Sequence, residues 1–386
     1  MSGWRLPGWR GFLLSAAVTL IAVAVLLLLV VLSGVYNVAA GNAHWGPTNW
    51  LIKLALHRSV WLYSLPVSAP PLNGPDLVRL GAGHYHGGCA PCHGSPDEAR
   101  NPIVKHMLPA PPDLREAVRD WSTEELFWIV RNGLKFTGMP GWTAPQRRDE
   151  VWAAVAFLRE LPGMDAARYR ALALGNAEPV DPGGPSIARF GGATEALTRC
   201  IRCHGDGNSP PTSRLVPKLA GQKLDYLRTA LRFYAEDRRP SGIMQPIAAA
   251  LEPEEAEAVS RYYANLTAVR SGPGEAPLPA DRIARGRLIA EFGVPQKQIP
   301  PCLACHHSDS AALFPRVAGQ YAPYIETQLR LWQDGLRDRT APGAIMQAIA
   351  TRLTARQVED VAAYFASIDA PPAFPPRSGA PTSPSP

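Results

Sequence analysis

Three copies of one pentapeptide constrain this chain more than any other feature. Cys-x-x-Cys-His occurs at Cys89–His93 (CAPCH), Cys200–His204 (CIRCH) and Cys302–His306 (CLACH), and together the copies use all six cysteines. Two thiols three positions apart can each bond one vinyl group of a haem, and the histidine that follows places an imidazole under the iron. A zinc site would need a second ligand cluster nearby, and a redox dithiol has no use for the same histidine in all three copies. The motifs therefore predict three covalently bound haems c on Cys89, Cys92, Cys200, Cys203, Cys302 and Cys305, with His93, His204 and His306 as iron ligands.

A length of 386 residues suits about three domains, one per motif. Each would hold roughly 80 to 90 residues, a size at which a protein core is marginal and a large apolar macrocycle can serve as part of it. Ahead of them, Phe12 to Leu32 is an apolar run broken only by Ser15 and Thr19. At about 1.5 Å per residue it would cover roughly 31 Å, enough to cross a bilayer. Val38-Ala39-Ala40 has the small residues of a cleavage site, but the run exceeds the apolar core of about 7 to 15 residues usual in a cleaved signal peptide, so a retained transmembrane helix is expected. Arg5 and Arg10 precede it with no acidic residue among them, a modest bias toward a cytoplasmic N-terminus. The net charge of +6 comes without a basic block and gives no reason to expect nucleic acid.

Residues 1–36 are read as cytoplasmic N-terminus and anchor, and 37–74 as a membrane-proximal amphipathic segment. Within the latter, Asn49–Ser64 carries Trp50, Trp61 and Tyr63 beside Leu51, Leu54 and Leu56, which suits either the membrane surface or a helix packed on the first haem domain. The first domain is expected over 75–162, a linker over 163–186 (with DPGGPS at Asp181–Ser186), the second domain over 187–269, a linker over 270–280, the third domain over 281–369 and a disordered tail over 370–386. Each domain should end in a helix whose stripe is Val151, Val155 and Leu158, then Val259, Tyr263 and Leu266, then Val358, Val361, Phe365 and Ile368. Start signals are Thr143 with Pro145, Pro253, and the pair Thr354 and Gln357; Ser122 and Glu125 cap a further helix that should stop at Gly133. No alternating strand pattern is evident, so the soluble part is expected to be all-α.

The second and third domains repeat one another. PKLAGQ at Pro217–Gln222 answers PRVAGQ at Pro315–Gln320, and Tyr226, Leu231 and Arg232 answer Tyr324, Leu329 and Arg330, each 98 positions later. A low-spin carrier needs both iron faces filled, and methionine is the expected second ligand because its thioether favours Fe(II). Met139, Met244 and Met346 lie 46, 40 and 40 residues after their motif histidines, each in an expected loop before the last helix. Met107 competes with Met139 in the first domain. His44, His57, His84, His86, His106 and His307 are expected on the surface, and Arg232 and Arg330 either face solvent or pair with haem propionates.

CAPCHG followed by NGLKFTGMPGW resembles a class I c-type cytochrome domain over about 75–162, and the tandem CIRCHGDGN, PKLAGQ, IMQPIA with its partner resembles the dihaem cytochromes c of the c-four type over about 187–369. The third domain departs from that pattern, with His307 where glycine usually follows the motif and no DGN segment. With the apolar run read as an N-terminal transmembrane helix, the resemblance implies three class I cytochrome c-like domains with His/Met haems, exposed to the periplasm of a bacterial inner membrane. It implies an electron carrier and not an enzyme, passing electrons to a terminal oxidase or other respiratory acceptor, with a terminal oxidase, a quinol-oxidising complex or a periplasmic dehydrogenase as redox partner. A second reading makes it the cytochrome subunit of a periplasmic dehydrogenase of alcohol, gluconate or aldehyde type. A third, a haem peroxidase, would require an iron with an open sixth position.

Overall fold

A computed structural model of the chain describes residues 8–39, 41–175, 193–267, 277–307 and 310–369; residues 176–186 of the first expected linker, 270–276 of the second and the expected tail from 370 lie outside the described residues. Helix α1 (Trp9–Ser33) is apolar on every side, and Gly11–Ser33 is long and apolar enough to cross a membrane. It ends at Gly34, whose φ of 67° is the left-handed conformation that glycine adopts at little cost. Helix α2 (Gly46–Ser64) begins at a proline in its first turn and lies against the first motif-bearing unit. Val60 is fully buried, His57 stacks on Trp121 at 4.4 Å and Tyr63 on Trp128 at 6.0 Å, while Trp50, Leu51, Trp61 and Leu62 remain exposed. One face of α2 thus packs on protein and another stays apolar and open.

The first unit contains α3 (Pro75–His84), the single turns α4 (Ala90–His93), α5 (Pro102–Lys105) and α6 (Leu114–Ala117), then α7 (Thr123–Asn132), α8 (Arg148–Glu160) and α9 (Ala166–Ala173). The Ser122/Glu125 capping box on α7 has both its hydrogen bonds, and Gly133 at φ 67° ends the helix. Val151, Val155 and Leu158 are all buried on α8. That helix starts later than Thr143 and Pro145 suggest, because the Arg147 N–H closes a turn onto the Ala144 carbonyl at 2.9 Å before the helix begins. Helices α3 and α8 cross at Gly81, where a Cβ would lie 2.7 Å from the Ala153 carbonyl carbon and 2.9 Å from Phe157 Cβ. Helix α9 occupies ground expected to be linker. Asp165 caps it by accepting the Arg168 N–H at 2.7 Å, and Tyr169 is fully buried in the core, a burial that contributes on the order of 2 kcal/mol.

The second unit is α10 (Ala193–His204), α11 (Leu224–Ala235), α12 (Met244–Ala249) and α13 (Pro253–Asn265); the third is α14 (Ala280–Phe292), α15 (Ala322–Gln333), α16 (Ala341–Ala350) and α17 (Ala355–Ser367). Pro253 opens α13, and Thr354 with Gln357 forms the expected capping box of α17. Among the described residues, extended pairing is limited to one bridge between Val294 and Ile299, so the fold is helical. Three clusters of buried apolar residues form, one per unit, around Val155 and Phe157, around Leu227 and Tyr263, and around Val358 and Phe365.

The repeated PxxAGQ segments join the second unit to the third. The Gln222 amide donates to the Arg316 carbonyl at 3.0 Å and accepts the Arg316 N–H at 2.9 Å. Its counterpart Gln320 donates to the Lys218 carbonyl at 2.6 Å and accepts the Lys218 N–H at 3.1 Å. Both pairs are related by the same 98-residue offset, so the duplication is a local two-fold in space. Each motif glycine then donates its N–H to the last helix of its own unit, Gly221 to Tyr263 at 2.9 Å and Gly319 to Phe365 at 2.8 Å.

Candidate haem-binding sites

The three Cys-x-x-Cys-His segments take different local forms. Cys89 ends a π-helical turn (Tyr85–Cys89) that runs into α4, Cys200–His204 is the last turn of α10, and Cys302–Ala304 is a short 3-10 turn before Cys305 and His306. After the first two, Gly94 and Gly205 turn the chain at φ 73° and 66°, and their carbonyls accept from Tyr85 Oη at 2.6 Å and Tyr263 Oη at 2.9 Å.

The imidazoles share one arrangement. His93 Nδ1 lies 2.9 Å from the Pro112 carbonyl, His204 Nδ1 lies 3.0 Å from that of Pro217, and His306 Nδ1 lies 3.1 Å from that of Pro315. A carbonyl can only accept, so Nδ1 carries the proton and the Nε2 lone pair is left for a metal. Burial lowers the basicity of all three rings, against the opposing pull of those carbonyls, and keeps them in the neutral, ligating form. Burial also pushes the thiols of Cys89 and Cys302 up to about 12 and that of Cys200 to about 11. A redox dithiol needs the opposite shift, toward thiolate. Zinc is no better served: among the described residues no group of three or more His, Cys, Asp and Glu side chains is placed to hold a metal ion.

A cavity of about 570 Å³ is walled by Cys200, Cys203, His204, Pro217, Ile243 and Met244. Another is walled by Cys302, Cys305, His306, Pro315, Met346 and Ile349, and a third space joins the two. The structure thus brings His204 with Met244 and His306 with Met346. Met139 lies in the loop after α7, where Thr137 Oγ1 accepts its N–H at 3.1 Å. Met107 packs against Gly138 of that loop, so Met107 and Met139 reach the same place. Only Met139 is in a loop: Met244 is the first residue of α12, and Met346 lies inside α16, because Thr340 caps that helix by accepting the Gly343 N–H at 3.0 Å.

Arg232 and Arg330 are exposed and pair with Glu236 at 4.0 Å and Glu326 at 3.7 Å, the solvated-face alternative. Arg239 and Arg337, again 98 positions apart, line the space that joins the two cavities. Arg239 is 8% exposed and reaches Tyr324 Oη at 3.4 Å and Gln328 Oε1 at 3.3 Å, and Arg337 lies over the Trp332 ring at 4.0 Å. Among the described residues neither forms an ion pair with a carboxylate. His84 and His86 are half-buried, not surface groups: His84 packs on Trp142 at 4.4 Å, and His86 Nδ1 meets Tyr169 Oη at 3.0 Å. Burial, with Arg202 adding to it, pushes both down to about 4.

This donor set fits an iron porphyrin. Two thiols suit its vinyl groups, an imidazole with a free Nε2 and a thioether suit its iron, apolar walls suit its ring, and two uncompensated guanidiniums suit its propionates. Haem, when bound, supplies a one-electron Fe(II)/Fe(III) couple. The chain's own residues would hold the group in place, exclude water and offset its carboxylates.

The cytochrome c oxidase, cbb3-type, subunit III family model matches residues 76–158. The thiosulfate dehydrogenase electron acceptor of Stutzerimonas stutzeri (strain A1501) is 36% identical over 190 residues, which is 48% of this chain and 86% of that protein. The protein of that name from Thiomonas intermedia (strain K12) is 33% identical over 47% of this chain and 83% of its own length. Cytochrome c4 of Thiocapsa roseopersicina is 31% identical over 45% of this chain and 89% of that protein. Identity of that order across most of a relative's length, on a helical fold whose motifs bring cysteines, imidazoles and thioethers to apolar cavities, is a family relationship, and this chain belongs to the cytochrome c family.

Proposed function

We propose that the chain is a membrane-anchored electron carrier with three covalently bound haems c, ligated by His93 and Met139, His204 and Met244, and His306 and Met346. The observation that carries this reading is the threefold recurrence of a Cys-x-x-Cys-His segment whose imidazole donates Nδ1–H to a proline carbonyl. Family membership implies covalent haem c, and the three cysteine pairs supply one attachment each. The anchor is α1, with the open apolar face of α2 against the lipid and the three units in the periplasm of a bacterial inner membrane.

Electrons enter from a dehydrogenase and leave to a terminal oxidase or another respiratory acceptor. Two relatives named as thiosulfate dehydrogenase electron acceptors favour a donor that oxidises an inorganic sulfur compound over the alcohol, gluconate or aldehyde types. The intact mass of the purified chain should show three haem additions. Native membrane complexes should carry a dehydrogenase or oxidase partner; isolation of the chain with neither, and with fewer than three haems, would remove this reading.

A further inference from the structure

The segment before Met244 is held differently from the other two methionine segments. In the first, the Thr137 hydroxyl accepts the Met139 N–H and donates to the Leu134 carbonyl at 2.8 Å, so the loop is closed on itself. In the third, Thr340 caps its own helix. In the second, Ser241 Oγ accepts the Met244 N–H at 3.0 Å and the Ile243 N–H at 3.3 Å, but its proton goes to Glu150 Oε1 at 2.6 Å, on α8 of the first unit. Glu150 Oε2 also accepts the Gly242 N–H at 2.6 Å and the Trp142 Nε1–H at 3.2 Å. Arg147 faces the same carboxylate at 2.9 Å and donates to the Pro240 carbonyl at 2.9 Å. Glu150 and Ser241 are 4% and 3% exposed, so these bonds do not compete with water.

We propose that the first unit positions the second methionine segment, with Glu150 orienting the Ser241 hydroxyl that holds the Met244 backbone. An ionised carboxylate only accepts hydrogen bonds, so the single Ser241 proton must point to it and the hydroxyl lone pairs must face Met244 and Ile243. Trp142 belongs to the loop that carries Met139, and a Cβ at Gly242 would overlap its indole. Leu77, Leu80 and Trp152 of the first unit also line the cavity that holds Met244. The first unit therefore closes the second site as well as carrying its own, and rearrangement of one methionine segment is transmitted to the other. The inference rests on the reading of Met244 as an iron ligand.

The test is hydrogen exchange of the haem-loaded full chain, comparing peptides over 239–246 with those over 338–346, alongside the iron–thioether charge-transfer absorption. Glu150→Gln puts an amide donor among four donors, and Ser241→Ala removes the relay without leaving a buried charge unpaired. Each should speed exchange over 239–246 by about tenfold and weaken the thioether absorption, while 338–346 stays within about twofold. Unchanged exchange over 239–246 in either folded variant overturns the proposal, and Ser241→Ala decides if Glu150→Gln does not fold. Met244→Ala reports on the ligand reading alone: an unchanged absorption band there removes Met244 from the iron, whereas the exchange rates decide on Glu150 in either case.

Discussion

Gly286 is the point at which the third unit is least able to accept an extra atom. A Cβ there would lie 2.6 Å from the Asp360 carbonyl carbon and 2.9 Å from Tyr364 Cβ, where carbon atoms normally approach to about 3.5–4.0 Å. Helices α14 and α17 must separate by about 1 Å to admit it. The obstacle is largely backbone, so no rotamer change relieves it, and the overpacking costs about 3 kcal/mol. Separation also pulls on Arg285, which grips Asp360 through Nε at 2.9 Å and Nη2 at 2.7 Å, with the Asp360 side chain only 4% exposed. Alanine returns about 1 kcal/mol through its better helix propensity. Gly286→Ala should therefore destabilise the third unit by about 2 kcal/mol net, which for a domain of this size lowers its melting midpoint by roughly 8–16 °C. Calorimetry of the haem-loaded chain measures the shift, and limited proteolysis on heating assigns it to α14 and α17. Leu288→Ala, at a 59% exposed position on the same helix, is the control and should stay within about 0.5 kcal/mol. A Gly286→Ala shift no larger than that of Leu288→Ala would refute the close crossing.

Two further outcomes follow from the junctions between units. Gln222→Ala removes both hydrogen bonds to the Arg316 backbone and should cost about 1–3 kcal/mol, loosening the second unit from the third without unfolding either; small-angle scattering would detect the change, and an unaltered profile with unaltered stability would count against the pairing. His84 is held near 4 by burial, with Arg202 adding to it, against about 6.5 in an unfolded chain. Below 6.5 the unfolded chain takes up a proton that the folded one refuses, so stability should fall between about pH 6.5 and 4 by about 2–3 kcal/mol. His84→Phe should flatten that slope, and an unchanged slope would show that His84 is not the group responsible.

Much of the fold was legible because it is written in local chemistry. The capping box at Ser122 and Glu125, the one at Thr354 and Gln357, and the buried stripes of α8, α13 and α17 are short-range signals, and they reappear in space, except that Leu266 and Ile368 fall just past the ends of their helices and are half-buried. The Cys-x-x-Cys-His segments were equally plain. The proline carbonyls were not, because Pro112 follows His93 by 19 residues while Pro315 follows His306 by 9, and no fixed spacing marks them. Arg239 and Arg337 could have been found by carrying the 98-residue offset one step beyond Arg232 and Arg330. Helix α9 was missed because Gly- and Pro-rich surroundings outweighed one tyrosine that the core needed. Glu150 gave no signal at all: its partners Ser241 and Gly242 lie 91 and 92 residues away, on a unit that the composition treats as separate.

Each of the three irons should carry a histidine and a methionine. Exposure of the reduced, haem-loaded full chain to carbon monoxide tests it directly, with Met139→Ala, Met244→Ala and Met346→Ala measured in parallel. The parent chain should form no ferrous carbonyl, and each variant should form it at one haem of three. A carbonyl in the parent chain, or none in one of the variants, would contradict it.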